Sequence, residues 1–351
     1  MEIIKTHRSR RDQVDFESLG FGEIFSDHML TMDYKDGKWD LPQIVPYGKI
    51  EIYPSICSLH YGQIVFEGLK AFYTQGGAIN IFRPQKYHER MNQSCQRLCI
   101  PEIGSDLFME GLRELVTVDK EWVPRKKGYS LYIRPFVFAT DNFLGVKVSE
   151  TYRFMIITSP VGAYYKEGIN PVRLITSGEY IRAAKGGLGA AKTPANYAAT
   201  LLPAEKAKRK GFTQVLWLDG VERKHIEEVG TMNIFFFLNN ELITPPLEGT
   251  ILGGVTRDTS IYLAREWKIE VRERRISIDE VLLASKKGIL KEVFGTGTAA
   301  VISPVGEIQF GGDRIIINEG KIGSLSQKLY DEITGIQYGM KADRFGWCYL
   351  V

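Results

Sequence analysis

Lys185-Gly186-Gly187-Leu188-Gly189-Ala190-Ala191-Lys192-Thr193 is the stretch on which the reading of this chain turns. A glycine run closing in Lys-Thr has the outline of a nucleotide-triphosphate loop, in which a glycine must precede the lysine so that backbone amides can wrap phosphate. Here alanine precedes Lys192 and the glycines fall at the wrong spacing, so nucleotide hydrolysis is set aside. What remains is an amine at the end of a run of small residues. Small residues let a flat, bulky group lie against backbone, and an amine placed there can form an imine with a carbonyl. A surface loop carrying a solvated lysine has the same composition, and the stretch alone does not separate the two.

Three further segments bear on that choice. In Glu227-Glu228-Val229-Gly230-Thr231-Met232-Asn233, adjacent carboxylates on an extended chain point to opposite faces. One of them is therefore available to an internal partner such as a pyridine nitrogen; solvation of both at a strand start is the plain alternative. Leu252-Gly253-Gly254-Val255-Thr256 leads into a helix, whose first amides and dipole suit a phosphate, or it is an ordinary turn capped by Thr256. Phe294-Gly295-Thr296-Gly297-Thr298-Ala299-Ala300 offers amides and hydroxyls to an anion, or is a simple hairpin turn. No one segment decides. Together they supply a lysine, a carboxylate and two anion-binding turns, which are the needs of a single phosphorylated pyridine coenzyme.

Around these segments the pattern is mixed. Strands are expected at 79–82, 130–139, 153–158, 172–176 and 214–218, where β-branched and aromatic residues concentrate. Helices are expected up to about Leu98, at 107–118, 195–210 and 256–267, and after the capping box Ser277-x-x-Glu280. Asn239-Asn240 between two apolar runs predicts a hairpin. The class is α/β or α+β. With 351 residues, two domains are expected rather than one. Tyr164 to Pro171, rich in breakers, predicts the linker, giving domains at 1–163 and 172–351.

Composition narrows the function. A net charge of +3 and no basic run interleaved with aromatics argue against a nucleic-acid partner. The first residues hold no apolar signal segment and no apolar run is long enough for a membrane span, so a cytoplasmic location is the expectation. The five histidines have no ligand spacing, and Cys57, Cys95, Cys99 and Cys348 form no CxxC pair, so no metal is expected. Cys95 and Cys99 are expected to pack in the core beside Met91 and Leu98.

Residues 59–72 (LHYGQIVFEGLKAF), 131–135 (LYIRP), 228–235 (EVGTMNIF) and 292–299 (EVFGTGTA) follow one another as in the branched-chain amino acid aminotransferases, fold-type-IV pyridoxal-phosphate enzymes, which the chain resembles from Phe21 to Gly339. The resemblance implies a smaller N-terminal α/β domain and a larger C-terminal coenzyme domain built on a pseudo-barrel. It makes Lys192 the Schiff-base lysine and proton carrier, Tyr197 the partner of the coenzyme's phenolic oxygen, and Glu228 that of the pyridine nitrogen. Thr231 would support the ring. Arg90 would clamp the phosphate, with Val255, Thr256, Gly297 and Thr298 completing its cup. Arg134, beside Tyr132, would receive the distal carboxylate of glutamate, while Thr298 and Ala299 take the α-carboxylate. Phe21, Phe66 and Tyr164 would form the apolar wall. Tyr61 and the loop bearing Leu144 and Val146 would reach a neighbouring subunit's pocket, which implies a homodimer. The implied reaction is ping-pong exchange between L-leucine, L-isoleucine or L-valine and 2-oxoglutarate. A D-amino-acid transaminase or aminodeoxychorismate lyase on the same fold is the rival, and Tyr132-x-Arg134 favours the branched-chain enzymes. Where animal mitochondrial members carry a redox CxxC, this chain has Ala300 and Ser303, so thiol control by that route is not expected.

Overall fold

The structure is a computed structural model that describes residues 1–163 and 169–351. The expected linker at 164–171, and Tyr164 with it, lie wholly or largely outside the described residues. Two compact units emerge, and neither is one continuous segment. The first comprises residues 1–166, 191–194 and 335–351; the second comprises 167–190 and 195–334. The C-terminal segment, expected in the second domain, belongs to the first unit because Cys348–Leu350 pairs antiparallel with Ile79–Phe82.

The first unit is a 10-stranded sheet, antiparallel except at one edge. Its centre is, in order of pairing, His28–Lys35, Tyr152–Val161, Ser130–Ala139 and Leu69–Tyr73. The strand Ser130–Ala139 is buried along almost its whole length, as expected for a central strand covered on both faces. The helices Pro84–Arg97 and Ser105–Val118 belong to this unit. The second helix lies against the sheet at Gly111, where an added Cβ would come 2.7 Å from Leu30 Cδ1. Met91 and Cys95 are wholly buried on the inner face of the first, and burial pushes the Cys95 thiol up. Cys99 corrects the expectation of a second core thiol: the helix ends at Arg97, Cys99 turns to positive φ, and its side chain is exposed.

The second unit is a nine-stranded mixed sheet. Val172–Thr176 runs parallel to both Gln214–Leu218 and Val301–Phe310, and Asn233–Leu238 pairs antiparallel with Leu290–Gly297. Ile226–Val229 is at one end of the strand order, yet a two-residue turn joins it to Asn233–Leu238, deep in that order. The sheet therefore curls back at this corner into a half barrel. Gly230 makes the turn possible: its φ is +54°, and a Cβ there would collide with the Gln214 side chain. The Asn239-Asn240 hairpin forms as expected, with both residues at positive φ. Among the described residues, no helix is long and apolar enough to cross a membrane.

Candidate active site

In the first unit Lys192 is fixed through its backbone. Its N–H donates to Ser94 Oγ (2.9 Å), and its carbonyl accepts from the Phe66 N–H (3.1 Å). The next residue, Thr193, is fully buried and donates from Oγ1 to the Ile64 carbonyl (2.9 Å). The lysine thus rides along the strand Ile64–Phe66, with its amine 5.0 Å from the centre of the Phe66 ring. Ser94 also donates to the Arg90 carbonyl one turn earlier in its helix (3.0 Å), so Lys192 and Arg90 share one support.

Arg90 is buried and meets Glu67 in a two-point pair, with Nε to Oε1 and Nη2 to Oε2 both at 2.7 Å. Glu67 is 0% exposed, so one edge of the guanidinium neutralises a buried carboxylate and holds the plane still. Replacing Arg90 by methionine strands that carboxylate. A loss of about 3–5 kcal/mol of stability in urea unfolding is expected, largely recovered when Glu67→Met is added.

Tyr132 and Arg134 face the same side of their strand, as the spacing of two requires. Arg134 Nη2 donates to the Tyr132 hydroxyl (3.0 Å), and the guanidinium lies 4.8 Å from the Phe66 ring centre. Arg134 Nε is buried without a partner among the described residues. Phe21 meets the Tyr132 ring edge-on at 4.9 Å. Gly68 leaves room for this arrangement, because a Cβ there would strike the Tyr132 hydroxyl. The structure therefore gathers Lys192, Phe66, Tyr132, Arg134 and Phe21. Tyr61, Leu144 and Val146 are not part of that cluster and are exposed.

The second unit places Glu228 at the corner of the half barrel, 2% exposed. Arg182 Nη1 lies 2.6 Å from Glu228 Oε2, and Asn233 Nδ2 donates to Oε1 (3.2 Å). Arg182 also donates to the Thr250 carbonyl (3.0 Å), and Asn233 to that of Leu252 (2.8 Å). Asn233 Oδ1 fills the space a Cβ on Gly254 would take, which brings the Glu228 corner against the start of the helix Val255–Glu266. No side chain caps that helix, so the amides of Val255 and Thr256 head it as donors. Thr231 is exposed at the tip of the corner turn. Tyr197 is half-buried in the helix Pro194–Ala198, which Asn196 ties to the Leu188 carbonyl (2.8 Å).

The turn carrying Gly297, Thr298 and Ala299 closes at Val301, a β-branched residue at φ +62°. Backbone strain of this kind is concentrated at ligand sites. Beside it, Thr296 Oγ1 is buried and has no partner among the described residues. Within this unit, an anchored carboxylate suits the pyridine nitrogen of pyridoxal phosphate, and an uncapped helix start and an orphaned hydroxyl suit its phosphate; within the first unit, the Lys192 amine suits its aldehyde and the Arg90 guanidinium its phosphate. Sequence reasoning missed Arg182, Glu67 and Ser94 as supports. Glu67, a carboxylate between an apolar run and a glycine, carried a visible signal; so did Arg182, a lone cation in Ile181-Arg182-Ala183-Ala184.

Residues 64–308 match the amino-transferase class IV family, and the chain belongs to that family. The family is pyridoxal-phosphate-dependent. The chain is 54% identical to branched-chain-amino-acid aminotransferase 2 of Bacillus subtilis, over 97% of this chain and 94% of that one. It is 51% identical to a probable branched-chain-amino-acid aminotransferase of Staphylococcus aureus, over 98% and 96%. Among solved structures, the Escherichia coli branched-chain amino acid aminotransferase superposes with a TM-score of 0.76 at 28% identity, covering 92% of this chain and 98% of that one. The enzyme of Thermobaculum terrenum in its pyridoxal-phosphate form gives 0.77 at 25%, with the same coverage. Within its family the chain stands with the branched-chain amino acid aminotransferases.

Proposed function

We propose that the chain catalyses reversible amino transfer between L-leucine, L-isoleucine or L-valine and 2-oxoglutarate, with Lys192 carrying pyridoxal 5′-phosphate. The observation that carries this reading is the fixing of Lys192 by its own backbone, with its amine 5.0 Å from the centre of the Phe66 ring. The bound coenzyme supplies an electron-withdrawing ring that makes the amino acid's Cα proton acidic. Lys192 Nζ would take that proton from Cα and redeliver it to the carbon that bears the coenzyme's aldehyde. Glu228 keeps the ring nitrogen protonated, and Arg182 keeps Glu228 charged. Tyr197 donates to the phenolic oxygen and Thr231 supports the ring. Arg90, Val255, Thr256, Gly297 and Thr298 hold the phosphate.

One pocket must accept an apolar side chain in one half-reaction and an acidic one in the other. Phe21 and Phe66 serve the first, together with Tyr164. Arg134, oriented by Tyr132, serves the second, while Thr298 and Ala299 amides hold the α-carboxylate. Exposed Tyr61, Leu144 and Val146 support a homodimer in which each subunit completes its neighbour's pocket.

L-leucine, L-isoleucine, L-valine and D-alanine assayed side by side with 2-oxoglutarate test the reading; preference for D-alanine rules it out. Arg134→Leu is expected to raise KM for 2-oxoglutarate roughly 10- to 100-fold, the worth of a hydrogen-bonded charge contact, while KM for leucine stays within about threefold. Equal losses on both substrates would remove Arg134 from carboxylate recognition.

A further inference from the structure

Phe21 is 48% exposed and sits between Gly20 and Gly22, the latter at φ +73°. Its edge-on contact with Tyr132 is a single aromatic pair, too little by itself to order a glycine-flanked segment. What orders that segment is the base of the loop that carries it. Residues 10–26 leave and return at one buried carboxylate, that of Asp27, 6% exposed. Its Oδ1 accepts from the Arg10 N–H (2.9 Å), and its Oδ2 accepts from the Ser9 hydroxyl (2.5 Å) and from Trp122 Nε1–H (2.9 Å). Burial opposes the charge, but these donors and the Arg10 guanidinium, 3.6 Å away, hold the Asp27 carboxyl below the usual aspartate range.

The loop is shaped around that anchor. Trp122 is buried, and its ring meets Phe16 of the loop at 6.1 Å. Arg10 Nη2 donates across the neck to the Ser26 carbonyl (2.6 Å). Leu19, two residues before Phe21, is buried, and Gly162 lets the chain pass there, since a Cβ would come 2.6 Å from the Leu19 carbonyl oxygen. Further bonds, from Arg11 Nε to the Glu121 carbonyl and from the Tyr129 hydroxyl to the Glu17 carbonyl, lie at the surface, where water competes. Asp27 thus ties both ends of the loop to the buried indole, one end through its own backbone and the other through Ser9 and Arg10. We infer that Asp27 is a positioning residue for selectivity: by closing this loop it holds Phe21 on Tyr132 and so sets how well the pocket takes an apolar side chain, which rests on Phe21 being part of that pocket's wall.

Asp27→Asn removes one clasp at constant shape. Whichever way the amide is turned, its NH2 faces either the Arg10 N–H or the Trp122 N–H. In a ping-pong scheme each substrate's kcat/KM reports its own half-reaction. In the holoenzyme, the variant's kcat/KM for leucine is expected to fall about tenfold, the lower end of what a hydrophobic pocket contact is worth, while that for 2-oxoglutarate stays within about threefold because Arg134 keeps its bond to Tyr132. Phe21→Ala should produce the same split, and adding Asp27→Asn to it should cost little more. Independently of activity, trypsin should cut after Arg10 and Arg11 faster in Asp27→Asn than in wild type. Should Asp27→Asn fail to fold, Ser9→Ala, at an exposed position, removes another clasp and should lower the leucine to 2-oxoglutarate ratio about two- to threefold; an unchanged ratio overturns the proposal. Equal losses on both substrates, additive effects of Phe21→Ala and Asp27→Asn, or unchanged cutting by trypsin also overturn it. A loss of leucine turnover in Phe21→Ala but not in Asp27→Asn removes the role of Asp27 and leaves the pocket wall standing, whereas no loss in Phe21→Ala removes the wall assignment and the role of Asp27 together.

Discussion

Lys192→Ala is expected to lower turnover of leucine with 2-oxoglutarate at least ~10³-fold, because one side chain is asked both to hold the coenzyme and to move the proton. The substitution is a clean test on structural grounds. Two bonds that fix Lys192 are made by its main chain, to Ser94 Oγ and from the Phe66 N–H, and the Thr193 hydroxyl bond is its neighbour's. Alanine keeps all three, so unfolding by heat should shift by no more than a few degrees. Borohydride treatment of wild type should leave the coenzyme mass on the peptide that contains Lys192, and the variant should retain none covalently. A variant that turns over leucine at the wild-type rate would mean that another amine does the work.

How much of this was legible beforehand depends on where the deciding contact lies. Val172–Thr176 and Gln214–Leu218 form as the sequence predicts, because their residue types and flanking breakers are local signals. The single helix expected over 195–210 is instead Pro194–Ala198 and Leu201–Arg209. Thr200 Oγ1 turns back to the Tyr197 carbonyl, and Pro203 has no N–H to continue the ladder across the break. The half barrel could not be read from periodicity, since it follows from which distant strands pair. The same holds for the site. The residues that do the chemistry sit in compact motifs, but their counter-ions come from other elements: Glu67 precedes a strand and meets Arg90 on a helix, and Arg182 lies far along the chain from Glu228. A lone buried charge announces that a partner exists without saying which one.

Arg182→Met is the sharper case, because it removes a counter-charge and leaves the carboxylate behind. Glu228 is 2% exposed, and an isolated ion there is far from water. Breaking a buried pair from one side costs about 3–5 kcal/mol, which urea unfolding will register. Some of that cost is avoided if Glu228 takes up a proton, and a neutral carboxyl cannot keep a pyridine nitrogen charged. Transamination should then fall about 10²-fold at neutral pH, the scale expected when one preorganised electrostatic group is lost. The direction of the pH response separates this from simple loosening of the fold. Raising the pH ionises the stranded carboxyl and should restore part of the variant's activity, while wild type, already charged, gains nothing by the same route. Arg182→Lys keeps the charge, but on a shorter stem without the guanidinium's rigid plane to aim it at Glu228 and the Thr250 carbonyl, so it should fall between the two. Adding Glu228→Gln to Arg182→Met should cost little further activity, since both changes disable one function. Fully additive losses would mean that Arg182 acts on the site by some path other than Glu228.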